Sequence, residues 1–275
     1  MVNTTEFSKT ECQNQRIEEA HLDVILKDFR RDGYVVLKDA FPKDYIHTLY
    51  LTFMNQYERF LTNESPNGAV ELSNKRLQIS VEVNDAFNSP QLYANSFVFP
   101  VIAQLFNNQF IINSLTCVAS LPGATEMSGH FDARIFTWHP VATLLPPHAV
   151  GALIPLIPFN QLNGPTRVWP GSQRSGPSSA ELVDKSNFID VEMDIGSCML
   201  MDYRLFHSGN PNLSEQIRPL LYINYSAPWY YDEINFKTQA PLRVDDANFN
   251  QIPESHRNLF VRRHLKPPVD FKASE

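Results

Sequence analysis

Cysteine is scarce in this chain. The three cysteines among 275 residues, Cys12, Cys117 and Cys198, are far apart and odd in number, which excludes a disulfide framework and fits a reducing compartment. None belongs to a Cys-x-x-Cys pair, so a structural zinc site is not expected. Long apolar runs are also missing: nothing approaches the roughly 18 residues needed to cross a bilayer. The stretch from Met1 to Gln15 has neither the basic start nor the apolar centre of a secretory signal, so a cytoplasmic, membrane-free protein is expected. Positive charge is in deficit, with 23 Lys and Arg against 30 Asp and Glu and a net charge of -7. That balance excludes a nucleic-acid groove or an anionic membrane surface as the expected partner. Small-molecule chemistry remains, and a homodimer is left open.

What is present is a large apolar fraction, 43% with 12% aromatic, enough for one substantial core and a single domain over 1–275. Ile17, Leu22, Ile25, Leu26 and Phe29 recur at helical spacing and predict a helix over 17–31 that stops at Asp32-Gly33. Tyr34 to Ala40 reads as a short strand. Ile46, Leu49, Phe53, Tyr57 and Phe60 predict a helix over 43–61, and a third is expected over 90–107. The texture then changes to short apolar or alternating runs at 109–120, 129–138, 150–158, 166–169, 188–193, 197–202 and 217–226, separated by turns. Short strands at that spacing predict a sandwich or barrel, and a jelly roll fits the count. The expected organisation is a helical part over about 15–107, a β core over about 108–228 and a lid or helical segment over about 229–275.

The stretch SGHFDARIFTW, Ser128 to Trp138, places His130 and Asp132 two residues apart. On a strand their side chains would share one face. A third ligand is needed, and His207 lies at the end of a strand-like run, followed by a Gly-Asn-Pro turn. Two imidazoles and one carboxylate form a facial triad that suits Fe(II) and leaves adjacent positions for a co-substrate and O2. Arg218 follows His207 by eleven residues, where a guanidinium one strand over could take a carboxylate in a fork. A dicarboxylate 2-oxoacid would chelate iron at one end and need such an arginine at the other.

These elements resemble the phytanoyl-CoA dioxygenase family of Fe(II)/2-oxoglutarate-dependent oxygenases. The resemblance rests on HFD at 130–132, NGPTRVWPGSQ at 163–173, HSGNPN at 207–212 and Arg218, with an early DGYVVLKDAF, and covers about 30–226. The motif spacing is like that of fungal natural-product members. The resemblance implies a double-stranded β-helix buttressed by N-terminal helices, with Fe(II) bound by His130, Asp132 and His207, and 2-oxoglutarate and O2 as co-substrates. It also implies that Thr166 contacts 2-oxoglutarate, with Arg76 and Gln78 of KRLQIS nearby. Three departures from the family pattern stand out. Gln173 replaces the histidine that usually ends the turn, Met127 stands where some relatives carry a co-substrate glutamine, and Phe131 offers no polar contact. The retained Asp132 implies hydroxylation, desaturation or rearrangement, since halogenases of this class lack the carboxylate.

Each residue has a plainer alternative. His130 could be an ordinary core or surface histidine, Asp132 a turn or salt-bridge residue, His207 a strand end, and Arg218 the partner of Asp202 or Glu215. His139 and His148 are expected to be solvated loop residues. Met127, Arg134, Phe136 and Trp138 are the candidate substrate pocket, although Phe136, Trp138 and Trp169 fit a core equally. The segment from Trp138 to Phe159 and the PWYYDEINF region are the expected rim and lid. No basic cluster suggests a coenzyme A site, so a small, partly hydrophobic secondary metabolite is the expected substrate. The competing readings are a catalytically silent jelly-roll scaffold and a 2-oxoglutarate-independent, cupin-like metalloenzyme.

Overall fold

The computed structural model describes residues 2–62, 69–136, 141, 144–174, 186–232 and 242–264. The chain opens with β1 (Thr4–Thr5), α1 (Lys9–Asn14) and α2 (Glu19–Asp32). α2 buries Ile25, Leu26 and Phe29 along one stripe and ends at Gly33, whose φ of 80° supplies the left-handed cap. β2 (Tyr34–Leu37) follows at once, then α3 (Lys43–Gln56) and α4 (Glu58–Thr62). One helix was expected over 43–61. Tyr57 divides it, and its hydroxyl accepts the N–H of Glu82 from the neighbouring segment.

β3 (Ala69–Ser73) and β4 (Arg76–Ser80) make a hairpin that the sequence reading did not assign. The helix expected over 90–107 is two, α5 (Pro90–Tyr93) and α6 (Val98–Leu105). The break has a local cause: the Asn95 side chain accepts the N–H groups of Phe97 and Val98 and starts a new helix. β5 (Ile111–Ser120), β6 (Ala149–Pro155), β7 (Thr166–Val168), β8 (Ile189–Val191), β9 (Cys198–Asp202), β10 (His207–Gly209) and β11 (Arg218–Ser226) complete the strands. α7 (Asp246–Gln251) and a 3-10 turn over Glu254–Phe260 follow.

Eight strands form one sheet in the order β1-β2-β9-β6-β11-β5-β4-β3, and β10-β7-β8 form a smaller one. Among the named strands of the described residues, β1 and β2 pair in parallel and the other pairings are antiparallel. This is the expected mainly-β jelly roll with helical additions. Helices cover the outer face of the large sheet, and the small sheet packs on part of its inner face. Leu37, Cys117, Ile154, Leu200 and Leu221 pack outward with Phe29, Ile46 and Phe53 of the helices. Tyr34, Val36, Leu153, Met199 and Met201 point inward and meet Val168 and Val191 of the small sheet. Each such aliphatic side chain removed from water contributes about 1.5–3 kcal/mol.

One expectation is corrected here. Residues 149–155, within the stretch expected to form a rim, are a fully buried central strand. The described part of the C-terminal segment is helical, and its Ile252, Leu259 and Phe260 join the outward, helix-bearing cluster. Of the PWYYDEINF region expected as a lid, residues 233–236 lie outside the described residues, and Tyr230 packs with Ala133, Ala149 and Tyr203. No helix among the described residues is long and apolar enough to cross a membrane.

Candidate metal and co-substrate site

The inner face of the large sheet changes character across its width. On β5, the outward residues Leu115, Cys117 and Ala119 are apolar, whereas the alternate residues Ser114, Thr116 and Ser120 are polar. Register extends this pattern across three strands. Arg76, Ser120 and Arg218 stand side by side; Gln78, Val118 and Leu220 form the next row; Ser80, Thr116 and Tyr222 form the third. Adjacent rows lie two residues apart along each strand, about 7 Å. Above this surface opens a cavity of about 490 Å³.

His207 enters the cavity wall from β10 and His130 from the segment facing it. Over 129–136, the described part of the strand expected over 129–138, no continuous ladder is formed. Among the described residues, His130 makes a single antiparallel bridge to His207, each N–H donating to the other's carbonyl at 2.9 Å. The chain then bends at Asp132, and Phe136 takes a left-handed φ of 52°. The bend follows from partners on the far side: the Ala133 N–H leaves the ladder and donates to the Tyr203 carbonyl. Asp132 still meets both imidazoles. Its Oδ1 lies 3.5 Å from His130 Nε2 and 3.5 Å from His207 Nε2. One donor atom from each of the three residues can be chosen so that all lie within 4.8 Å of one another.

Backbone carbonyls orient the rings. His130 Nδ1–H donates to Ser128 O at 3.0 Å and His207 Nδ1–H to Leu205 O at 3.1 Å. Since a carbonyl only accepts, each Nδ1 carries the proton and each Nε2 keeps its lone pair for the centre of the cluster. Burial disfavours charge on Asp132, but His207, His130 and the Tyr222 hydroxyl outweigh it and hold its pKa at about 2. Burial lowers His207 to about 4, against the pull of Asp132. Burial also works against a charged His130, but the bond to Asp132 raises its pKa on balance. At neutral pH this is an anionic oxygen facing two imidazole nitrogens. Cys117 and Cys198 belong to the outward cluster, so no thiolate reaches the set. A nitrogen, oxygen and nitrogen donor set suits ferrous iron better than thiolate-bound zinc.

Arg218 and Arg76 are each about 1% exposed. Arg218 Nη1 donates to Gly164 O at 2.8 Å, and its guanidinium lies 4.5 Å from the Phe159 ring centre. Arg76 Nη2 donates to Asn210 O at 2.6 Å. Neither has a carboxylate partner among the described residues, and the Nε of each is buried without a hydrogen bond. Asp202, one of the plainer partners for Arg218, is engaged by Arg204 at 2.7 Å. Burial lowers Arg218 to about 9, with Arg76 adding repulsion, and lowers Arg76 to about 10. Two desolvated cations sharing one cavity call for an anion, and the orphaned Nε groups give a carboxylate something to bind.

The remaining expected residues divide. Gln78, Thr166 and Met127 line the cavity. Arg134 does not; its guanidinium sits 4.3 Å from the ring centre of Phe131, which does line it. Phe136 is 46% exposed and also outside the lining. Trp138 and His139 lie outside the described residues. His148, expected to be solvated, is fully buried against Tyr230 with ring centres 4.5 Å apart, and burial lowers its pKa to about 4. Gln173, the departure in the turn, is buried and donates to the Arg30 and Arg31 carbonyls at 3.2 and 3.3 Å. It thereby satisfies orphan carbonyls at the end of α2 and ties the small sheet's turn to that helix.

Sequence reasoning missed Ser114, Thr116, Tyr203 and Tyr222 of the lining. Ser114 and Thr116 carried a signal, as polar residues at alternate positions of an apolar strand. So did Tyr222, four residues after Arg218 and therefore on its face.

Known proteins resemble this chain at the level its geometry suggests. The iron/alpha-ketoglutarate-dependent dioxygenase ausO of Aspergillus calidoustus is 26% identical over 199 residues, covering 67% of this chain and 64% of that protein. The dioxygenase af480 of Aspergillus fumigatus is 25% identical over 181 residues, covering 63% and 57%. The chain thus spans less than two thirds of the length of these two relatives. Among solved structures, the epimerase SnoN in complex with Fe3+, alpha ketoglutarate and nogalamycin RO superposes with a TM-score of 0.60 at 17% identity, over 82% of this chain and 94% of that one. That likeness is one of fold. A profile of the phytanoyl-CoA dioxygenase (PhyH) family matches residues 29–220, and the chain belongs to that family.

Proposed function

We propose that this protein is an Fe(II)/2-oxoglutarate-dependent dioxygenase that oxidises a small, partly hydrophobic metabolite of secondary metabolism. One observation carries the proposal: two imidazoles and a carboxylate converge on the wall of a cavity that is also lined by two buried guanidiniums without a carboxylate partner among the described residues. His130, Asp132 and His207 would hold ferrous iron, and Arg218, with Arg76, Gln78 and Thr166, would hold 2-oxoglutarate. When bound, that pair couples reduction of O2 to decarboxylation of 2-oxoglutarate to succinate and CO2 and so oxidises a C–H bond of the substrate.

The chain's own residues set the conditions. The guanidinium of Arg218 takes a carboxylate where the Phe159 ring and the strand backbone exclude water. The carbonyl-bound Nδ1 atoms fix both rings so that each Nε2 is aimed at the cluster. Phe131, Leu153, Val118 and Leu220 give the cavity apolar walls against which a hydrocarbon portion of substrate can pack. Asp132 supplies the carboxylate ligand, so the outcome is hydroxylation, desaturation or rearrangement rather than halogenation.

Anaerobic titration with Fe(II) and 2-oxoglutarate tests this. A visible charge-transfer band that disappears in His207→Ala and weakens in Arg218→Leu is expected. Bound iron without the band would overturn the co-substrate assignment in favour of a 2-oxoglutarate-independent metalloenzyme. Failure to bind iron at all would leave a silent scaffold.

A further inference from the structure

Asp132 has two oxygens, and they have different surroundings. Oδ1 faces both histidines at 3.5 Å. Oδ2 accepts a hydrogen bond from the Tyr222 hydroxyl at 2.7 Å. That contact spans 90 residues of sequence and joins the large sheet to the segment opposite it. It is possible only because Tyr222 lies flat across the neighbouring strand. Gly151, two positions along β6 from Leu153, the residue directly opposite Tyr222, leaves the room: a Cβ there would come within 2.4 Å of Tyr222 Cε1 and 2.4 Å of its Oη. Tyr222 therefore has a track in the sheet that ends at the carboxylate.

We infer that Tyr222 is a positioning residue for the metal site, holding Asp132 so that Oδ1 alone faces the two imidazoles, and that Gly151 keeps the track for its ring. The inference presupposes that His130, Asp132 and His207 bind the metal, as proposed above. A carboxylate free at both oxygens can rotate or chelate through both, which would consume a position that the co-substrate and O2 need. A phenol bond to Oδ2 removes that freedom without touching the metal. Supporting bonds of this kind typically govern metal affinity by ten- to a hundredfold.

Co(II) in the absence of 2-oxoglutarate is the probe, read by affinity and by its visible absorption band. Tyr222→Phe keeps the ring in its track and removes only the hydroxyl. It is expected to weaken Co(II) binding ten- to a hundredfold and to alter the band, with the melting temperature of the metal-free protein unchanged. Gly151→Ala, which pushes the ring and hydroxyl off Asp132 with every ligand intact, is expected to change the band in the same sense. A Tyr222→Phe protein with wild-type affinity and an identical band would overturn the inference while leaving the metal site standing. Folded wild-type protein that takes up no Co(II) would overturn the metal site itself, and this inference with it.

Discussion

The inner face of the large sheet consists of two unlike halves. Across β2, β9 and β6 it presents Val36, Met199, Met201 and Leu153, and the small sheet packs directly onto them. Across β11, β5 and β4 it presents Arg218, Tyr222, Ser114, Thr116, Gln78 and Arg76, and there the cavity opens. The ladders run from β2 to β4 through both halves, with a single register shift between β11 and β5 at Asn224 and Tyr225. Side-chain chemistry makes the difference. Apolar side chains fill the gap between sheets because burial favours it, whereas guanidiniums without a carboxylate partner among the described residues, and polar side chains beside them, line the open part. One half packs the two sheets together, and the other lines the cavity in which the chemistry is proposed to occur.

If that division is right, mutations should sort by half. The largest effect on stability is expected from Met201→Ala in the apolar half, a loss of about 2–5 kcal/mol read by urea unfolding. Arg218→Leu in the polar half should do the reverse. 2-Oxoglutarate affinity falls about 30- to 100-fold, equivalent to about 2–3 kcal/mol, by calorimetric titration. The unliganded protein should melt no lower than wild type, because a buried charge without a counter-charge has been removed.

A pH effect of similar size is expected from His148, at the end of β11 remote from Arg218. Its folded pKa of about 4 lies below the ordinary value of 6.5, through burial first, with Asp202 and Arg204 acting on it in opposite senses. The unfolded chain therefore binds more protons between those values. Stability should fall as pH drops through 6.5 toward 4 and level off below, by about 2 kcal/mol at pH 5. The slope should be shallower in His148→Gln. The smallest effect belongs to Thr116→Val, within about 1 kcal/mol on unfolding. A large loss there would show that the polar half also carries the fold.

The division also explains what the sequence revealed. The outward periodicities of α2, β5 and β11 are local, and they were legible. His130, Asp132, His207 and Arg218 stood out because their spacing is itself a motif. The hairpin of β3 and β4 was passed over, although Leu77, Ile79, Val81 and Val83 alternate with Arg76, Gln78, Ser80 and Glu82. The strand expected around His130 failed for a non-local reason, since the partner of Ala133 is the carbonyl of Tyr203, 70 residues on. The Tyr222 contact and the burial of His148 were equally out of reach, because both depend on what the opposite layer brings. Periodicity reports which face a residue takes and says nothing of what waits across the gap.

The paired guanidiniums of Arg76 and Arg218 reach beyond catalysis. A fold that keeps two cations dry and without a carboxylate counterpart among its described residues stores repulsion that a bound dianion relieves. Any ligand held only by the folded form shifts the folding balance, by about 2.7 kcal/mol at a hundred times its dissociation constant. If the proposed dianion binds here, its occupancy would set how often the chain opens to a protease. Supply of the small dianion would govern how long each molecule survives as well as how fast it works.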